Sequence, residues 1–167
     1  MENYMKMEIA ARSENESFAR SAVAAFALTL NPSLTELSDI KTAVSEAVTN
    51  CVVHAYRDNE ENAKILIECK TETLPVQAHR GDRCEKYGVI HITVADLGCG
   101  IEDIDKATTP FFTTLQDDER SGMGFTIMQT FMDEFSVESE KGKGTRVRMT
   151  KKIKATENGE VKERVNA

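Results

Sequence analysis

The sequence predicts an α/β protein, a two-layer sandwich of helices on a mixed β-sheet. Three observations predict it. Two long segments near the start carry apolar residues at helical spacing. A short segment before them and four after them alternate apolar and polar residues, as half-buried strands do. No linker and no internal repeat separates these stripes, so they share one core. At 167 residues the chain is long enough to bury it. We expect one domain over 1–154 and a polar tail over 155–167.

The elements follow in order. Residues 3–11 alternate, with Met5, Met7 and Ile9 on one face of a strand. SENESFARSAVAAFALTL reads as a helix with Phe18, Val23, Phe26 and Leu30 in its apolar stripe. Ser13 and Glu16 have the spacing of a capping box. Asn31-Pro32 stops that helix. A second helix begins near Ser33, with Leu34, Leu37, Ile40, Val44, Ala47, Val48 and Cys51 at helical period. RDNEEN is a polar turn. KILIECKTE and GVIHITVAD then form a hairpin whose tip, around residues 74–88, is unusually long. IEDIDKA is a short helix, TTPFFTTLQDDERS a loop, and GMGFTIMQTFMDEF a helix that starts in glycines. FSVESE and GTRVRMTKK close the chain as a hairpin through GKG.

Composition narrows the function. The net charge of −7 argues against nucleic acid or an anionic membrane as the main partner. The longest apolar run, Ala22 to Leu28, is too short to span a bilayer, and the first twenty residues lack the apolar core of a signal peptide. The four cysteines form no CxxC pair and no zinc spacing, and Cys51 and Cys69 read as small core residues. A cytoplasmic protein is expected.

Four short patterns carry chemistry. In SEAVTN, Glu46 and Asn50 are one helical turn apart and share a polar face with Thr42 and Asp39. Glu46 suits a general base, and Asn50 offers an oxygen to a hard cation such as Mg²⁺. In DLGCGI, Asp96 ends a strand as a fixed acceptor for an exocyclic amine, while Gly98 and Gly100 let a flat group lie against the backbone. In RSGMGFTIM, Gly122 and Gly124 open a helix whose free N–H groups favour phosphate, beside the Ser121 hydroxyl. The loop is neither a Walker A nor a dinucleotide fingerprint. In KGKGT, Thr145 follows the hairpin turn. Each pattern alone is also an ordinary feature: a solvated helix face, a turn, a helix start, a hairpin.

Together, E-x-x-x-N on a helix, D-x-G-x-G after a strand, G-x-G opening a helix and G-x-G-T before a last strand resemble the four boxes of the GHKL (Bergerat) ATP-binding fold, in the right order over residues 42–150. A lone domain of this length looks like the anti-sigma factor serine kinases. The stretch ERSGMGFTIMQTFMDEFSVES is similar to their sporulation branch.

The resemblance implies Asn50 as the Mg²⁺ holder and Asp96 as the partner of the adenine amine. Gly98, Gly100 and Ile101 would shape the base pocket. A lid from Thr108 to Ser121, including Thr114, would close over the phosphates. Gly122, Met123, Gly124 and Phe125 would cradle them, and Thr145 would close the adenine side. Glu46 would activate a serine hydroxyl. The implied cofactors are ATP and Mg²⁺. The implied partners are a sigma factor, an anti-anti-sigma factor as substrate, and a second copy of the chain. Two rivals remain: a nucleotide-tuned binding module, and a histidine-kinase catalytic domain, against which the helix before Glu46 carries no histidine. Thr108 and Thr109 stand before Pro110 where relatives often carry a basic residue, which leaves Arg120 as a candidate phosphate contact. Glu16 and Arg20, expected to be exposed, mark a candidate partner surface.

Overall fold

The computed structural model describes residues 2–56, 63–75, 86–109 and 122–154. The order along the chain is β1 (Asn3–Ala10), α1 (Glu14–Ala27), α2 (Leu34–Asn50), β2 (Lys64–Pro75), β3 (Lys86–Asp96), α3 (Ile104–Ala107), α4 (Gly124–Phe131), β4 (Glu134–Glu140) and β5 (Gly144–Lys154). The strands lie in the order β1-β2-β3-β5-β4.

Register explains the core. One inward row crosses the whole sheet through Met7, Ile67, Val94, Val147 and Val137, and the next runs through Met5, Cys69, Ile92, Met149 and Phe135. Period-2 alternation in all five strands puts these residues on one face. The other face is polar and charged, with Lys6 paired to Glu68 at 2.9 Å and Arg148 paired to Glu138. Among the described residues, helices therefore cover one face only, as the two-layer expectation required. The sheet differs from that expectation in one respect. Every described pair is antiparallel, whereas a mixed sheet was expected. β3 and β4 do run the same way, joined through α3 and α4, but β5 inserts between them and removes the parallel contact.

α2 lies against the core through Ile40, Ala43, Val44, Ala47 and Val48, all essentially inaccessible. Each large aliphatic buried this way contributes about 1.5–3 kcal/mol. In α1 the buried face is Ala19, Val23, Ala24 and Ala27, while Phe18, assigned to the stripe from sequence, is 58% exposed. The helix turns its small residues inward and leaves this ring on the rim. Asn31 ends the helical run in the left-handed region at φ 54°.

The capping box also moved. Ser13 has helical backbone angles and its side chain makes no cap bond. Ser33 is extended, accepts from Glu36 N, and receives the Glu36 carboxylate on its own N–H at 2.7 Å. An N-cap needs extended backbone to aim its oxygen at the helix, and only Ser33 has it. Glu16 instead joins Arg20 at 3.1 Å and Ser45, so the Glu16–Arg20 pair is half-buried and ties α1 to α2 rather than standing exposed. Cys51, Cys69 and Cys99 are free thiols, the first two buried. No helix among the described residues is long and apolar enough to cross a membrane. The β2–β3 tip at 76–85 and the tail at 155–167 lie outside the described residues.

Candidate functional site

α2 does not stop cleanly. Past Asn50 the chain widens into one π-helical turn, Cys51–Ala55, the kind of irregularity that often sits beside a working site. Its end grips the corner after β3. Ala55 O accepts from Cys99 N at 2.8 Å, and the Tyr56 hydroxyl accepts from Leu97 N at 2.9 Å while donating to Lys64 O. From the other side, the β4–β5 turn closes in: Gly142 N donates to Cys99 O at 2.7 Å.

This pinch explains two glycines in one corner. A β-carbon on Gly98 would lie 2.1 Å from Ala55 O. One on Gly100, which has φ +69°, would lie 2.1 Å from Glu140 O. One glycine admits the helix end and the other admits the hairpin.

Asp96 is buried at the mouth of the corner, 6% exposed. Its Oδ1 accepts from Gly98 N at 2.9 Å and from Thr145 N at 3.2 Å. Burial raises its pKa above the usual aspartate value, while the bonds from Gly98, the Cys51 thiol and Thr145 pull it down. Burial, then the Asp96 charge, pushes the Cys51 thiol well up, so it stays protonated and serves as a donor to the carboxylate.

The second pole of the site is the start of α4. Cα of Gly124 faces α2 so closely that an added β-carbon would stand 3.2 Å from both Asn50 Oδ1 and Glu46 Oε2. Gly122 holds φ 63°, and Ile127 N closes the first helical turn on Met123 O at 2.8 Å. The helix N-terminus, an amide and a carboxylate thus converge.

Both poles open into one cleft of about 940 Å³, large enough for a nucleotide. Glu46, Asn50, Asp96, Gly100, Ile101 and Thr145 line it, as do all four residues from Gly122 to Phe125. Gly98 does not; it packs on Ala55. Thr114, Ser121 and Arg120 lie outside the described residues, with most of the expected lid. Thr108 and Thr109 turn their hydroxyls back onto carbonyls of α3. Asp39, grouped with Glu46 from sequence, instead pairs with Lys151 at 2.9 Å, and that ammonium also bonds Phe131 O at the end of α4.

Sequence reasoning missed several residues. Lys106 of α3 brings a cation to the cleft wall. Ser139 of β4 joins Ile101 N, Gly144 O and Thr145 Oγ1. Tyr56 ties the end of the π-helical turn to Leu97 N and Lys64 O through its hydroxyl. Ser139 and Tyr56 have no spacing signal, because Ser139 reaches Ile101 across 38 positions and Tyr56 reaches Leu97 across 41.

For a cation, the described residues offer no group of three His, Cys, Asp or Glu side chains. Asn50 and Glu46 supply hard oxygens beside the α4 N-terminus. That donor set fits Mg²⁺ carried largely by nucleotide phosphates, and does not fit a metal caged by protein.

Residues 9–151 match the family described as histidine kinase-like ATPase domain. The chain is 52% identical over 151 residues to a protein named anti-sigma F factor from Caldanaerobacter subterraneus subsp. tengcongensis, covering 90% of this chain and 94% of that one. It is 50% identical over 153 residues to the protein of the same name from Geobacillus thermodenitrificans, covering 92% and 94%. In fold it is similar to the crystal structure of the RsbU and RsbW domains of a Mycobacterium tuberculosis protein, with TM-score 0.56 and 16% identity over 91% of this chain and 33% of that one.

Proposed function

Since the chain belongs to the family of histidine kinase-like ATPase domains, we propose that it is an anti-sigma factor and an ATP-dependent protein serine kinase. In this reading it binds and inhibits a sigma factor of the F type. It uses Mg²⁺-ATP to phosphorylate a serine of an anti-anti-sigma factor, acting as a cytoplasmic homodimer in the control of sporulation transcription. The names of its half-identical relatives support the sigma-factor part. The observation that carries the kinase part is the placement of Glu46 against Gly124, beside Asn50 and at the opening of α4.

The chemistry follows from the two poles. Asp96 takes the amine of the adenine edge, and the Gly100–Ile101 corner lies along the base. The phosphates run toward the amides at Gly122–Phe125, where a helix N-terminus favours negative charge. Asn50 would hold Mg²⁺, which neutralises phosphate charge when bound. Glu46 accepts the proton of the substrate serine as its oxygen forms the new bond to the γ-phosphorus. The bond from that phosphorus to the β-bridging oxygen breaks, and ADP leaves. A pure binding module has no use for a carboxylate held there.

The test is transfer of label from γ-labelled ATP, with Mg²⁺, to a candidate anti-anti-sigma protein. Acid-stable label on serine is expected. Glu46→Gln should keep ADP affinity within about threefold and lose roughly 10²–10⁴-fold in transfer rate. Acid-labile label would indicate a histidine kinase instead, and free phosphate with unlabelled protein an ATPase.

A further inference from the structure

Ser139 stands behind the cleft wall, on β4, yet its hydroxyl touches two residues that line it. Ile101 N donates to Ser139 Oγ at 2.7 Å. Ser139 Oγ donates to Gly144 O at 2.9 Å. Ser139 Oγ and Thr145 Oγ1 are 2.9 Å apart. A serine hydroxyl has one hydrogen and two lone pairs. The Ile101 N–H can only donate, and the Gly144 carbonyl can only accept. All three contacts are satisfied in one arrangement only: Ser139 gives its hydrogen to Gly144, and Thr145 gives its own to Ser139. The alternative, with Ser139 donating to Thr145, leaves the Gly144 carbonyl without this bond.

The consequence lies in the cleft. With its hydrogen committed backwards, Thr145 turns only lone pairs toward a ligand. The Asp96 carboxylate Oδ1 is likewise an acceptor, and Thr145 N–H is already spent on it. We infer that Ser139 is a specificity-determining positioning residue, which keeps the groups facing the purine 6-substituent accept-only and so selects a 6-amino purine over a 6-oxo purine. The inference rests on the reading of the cleft as an ATP site and names a residue that sets its base preference. Without Ser139 the Thr145 hydroxyl is free to turn, donate to a 6-oxo group and relax the choice.

The experiment compares ADP with inosine diphosphate, which replaces the 6-amino group by an oxo group, by calorimetry on the full chain. Wild type should favour ADP. Ser139→Ala should reduce the ADP-to-IDP affinity ratio about fivefold or more, the worth of one hydrogen bond, and Ser139→Thr should restore it to within about twofold. Thr145→Val keeps the hairpin and removes the acceptor, so it should lower the ratio to a similar extent, and the double variant should fall no further. An unchanged ratio in Ser139→Ala, even with both affinities reduced, would mean a merely structural role and overturn the inference. If Ser139→Ala does not fold, Thr145→Val decides, and an unchanged ratio there overturns it equally. Wild type that binds neither nucleotide overturns the ATP reading itself, and this inference with it.

Discussion

The backbone N–H of Thr145 donates to Oδ1 of Asp96 at 3.2 Å, across 49 positions of sequence. That bond ties the end of β3 to the start of β5. It leaves the carboxylate held in place rather than merely present. Asp96→Asn tests what the held charge does. The amide can keep its oxygen toward Thr145 and Gly98, but then presents NH₂ to an incoming amine. ADP affinity measured by calorimetry should fall about 10–100-fold, the range for a hydrogen bond to a charged group.

Asp96 also makes a pH prediction. Burial lifts its folded-state pKa above the ordinary 3.8. The folded state therefore holds the proton more tightly than the unfolded chain. The stability this supplies is complete below about pH 3.8 and is lost as pH rises through the folded pKa. Asp96→Asn does not titrate. The melting temperature of the variant relative to wild type should thus climb as pH rises through that window and then level off. ADP binding to wild type should move oppositely, strengthening over the same window as the carboxylate ionises. A flat melting difference would remove the burial penalty from Asp96.

Two glycines should fail in different ways. Gly124→Ala places a methyl 3.2 Å from the mobile ends of Glu46 and Asn50. The fold should tolerate it, or gain up to about 1 kcal/mol from helix propensity, while phosphotransfer drops at least about tenfold. Gly98→Ala drives a methyl into a backbone carbonyl at 2.1 Å. It should cost about 3 kcal/mol or more in urea unfolding, as overpacking against immobile backbone does.

The two candidate caps separate cleanly. Ser33→Ala removes a formed capping box and should cost about 1 kcal/mol. Ser13→Ala removes no side-chain cap bond and should change chemical-denaturation stability by less than about 0.5 kcal/mol.

Asn50→Ala should weaken ADP binding in Mg²⁺ by about tenfold, yet leave the much weaker binding measured in chelator nearly unchanged. An equal loss under both conditions would place Asn50 on the nucleotide rather than on the cation.

Much of this protein follows from local pattern. The alternation of Met5, Met7 and Ile9 and of Ile65, Ile67 and Cys69, and the helical period from Ile40 to Val48, declare their elements because burial is periodic and each period belongs to one backbone geometry. Glu46 and Asn50, one turn apart, and Asp96, at a strand end beside glycines, were legible for the same reason. Tertiary structure alone decided the rest. It gave the capping box to Ser33, since backbone angles and not spacing aim the oxygen. It drew Asp39 away to Lys151, since a lysine that β5 carries inward needs a charge beside it. It set β5 between β3 and β4 and so made an antiparallel sheet. It brought Ser139 to Ile101 and Tyr56 to Leu97, because a hydroxyl finds its partner only once the chain between them has folded.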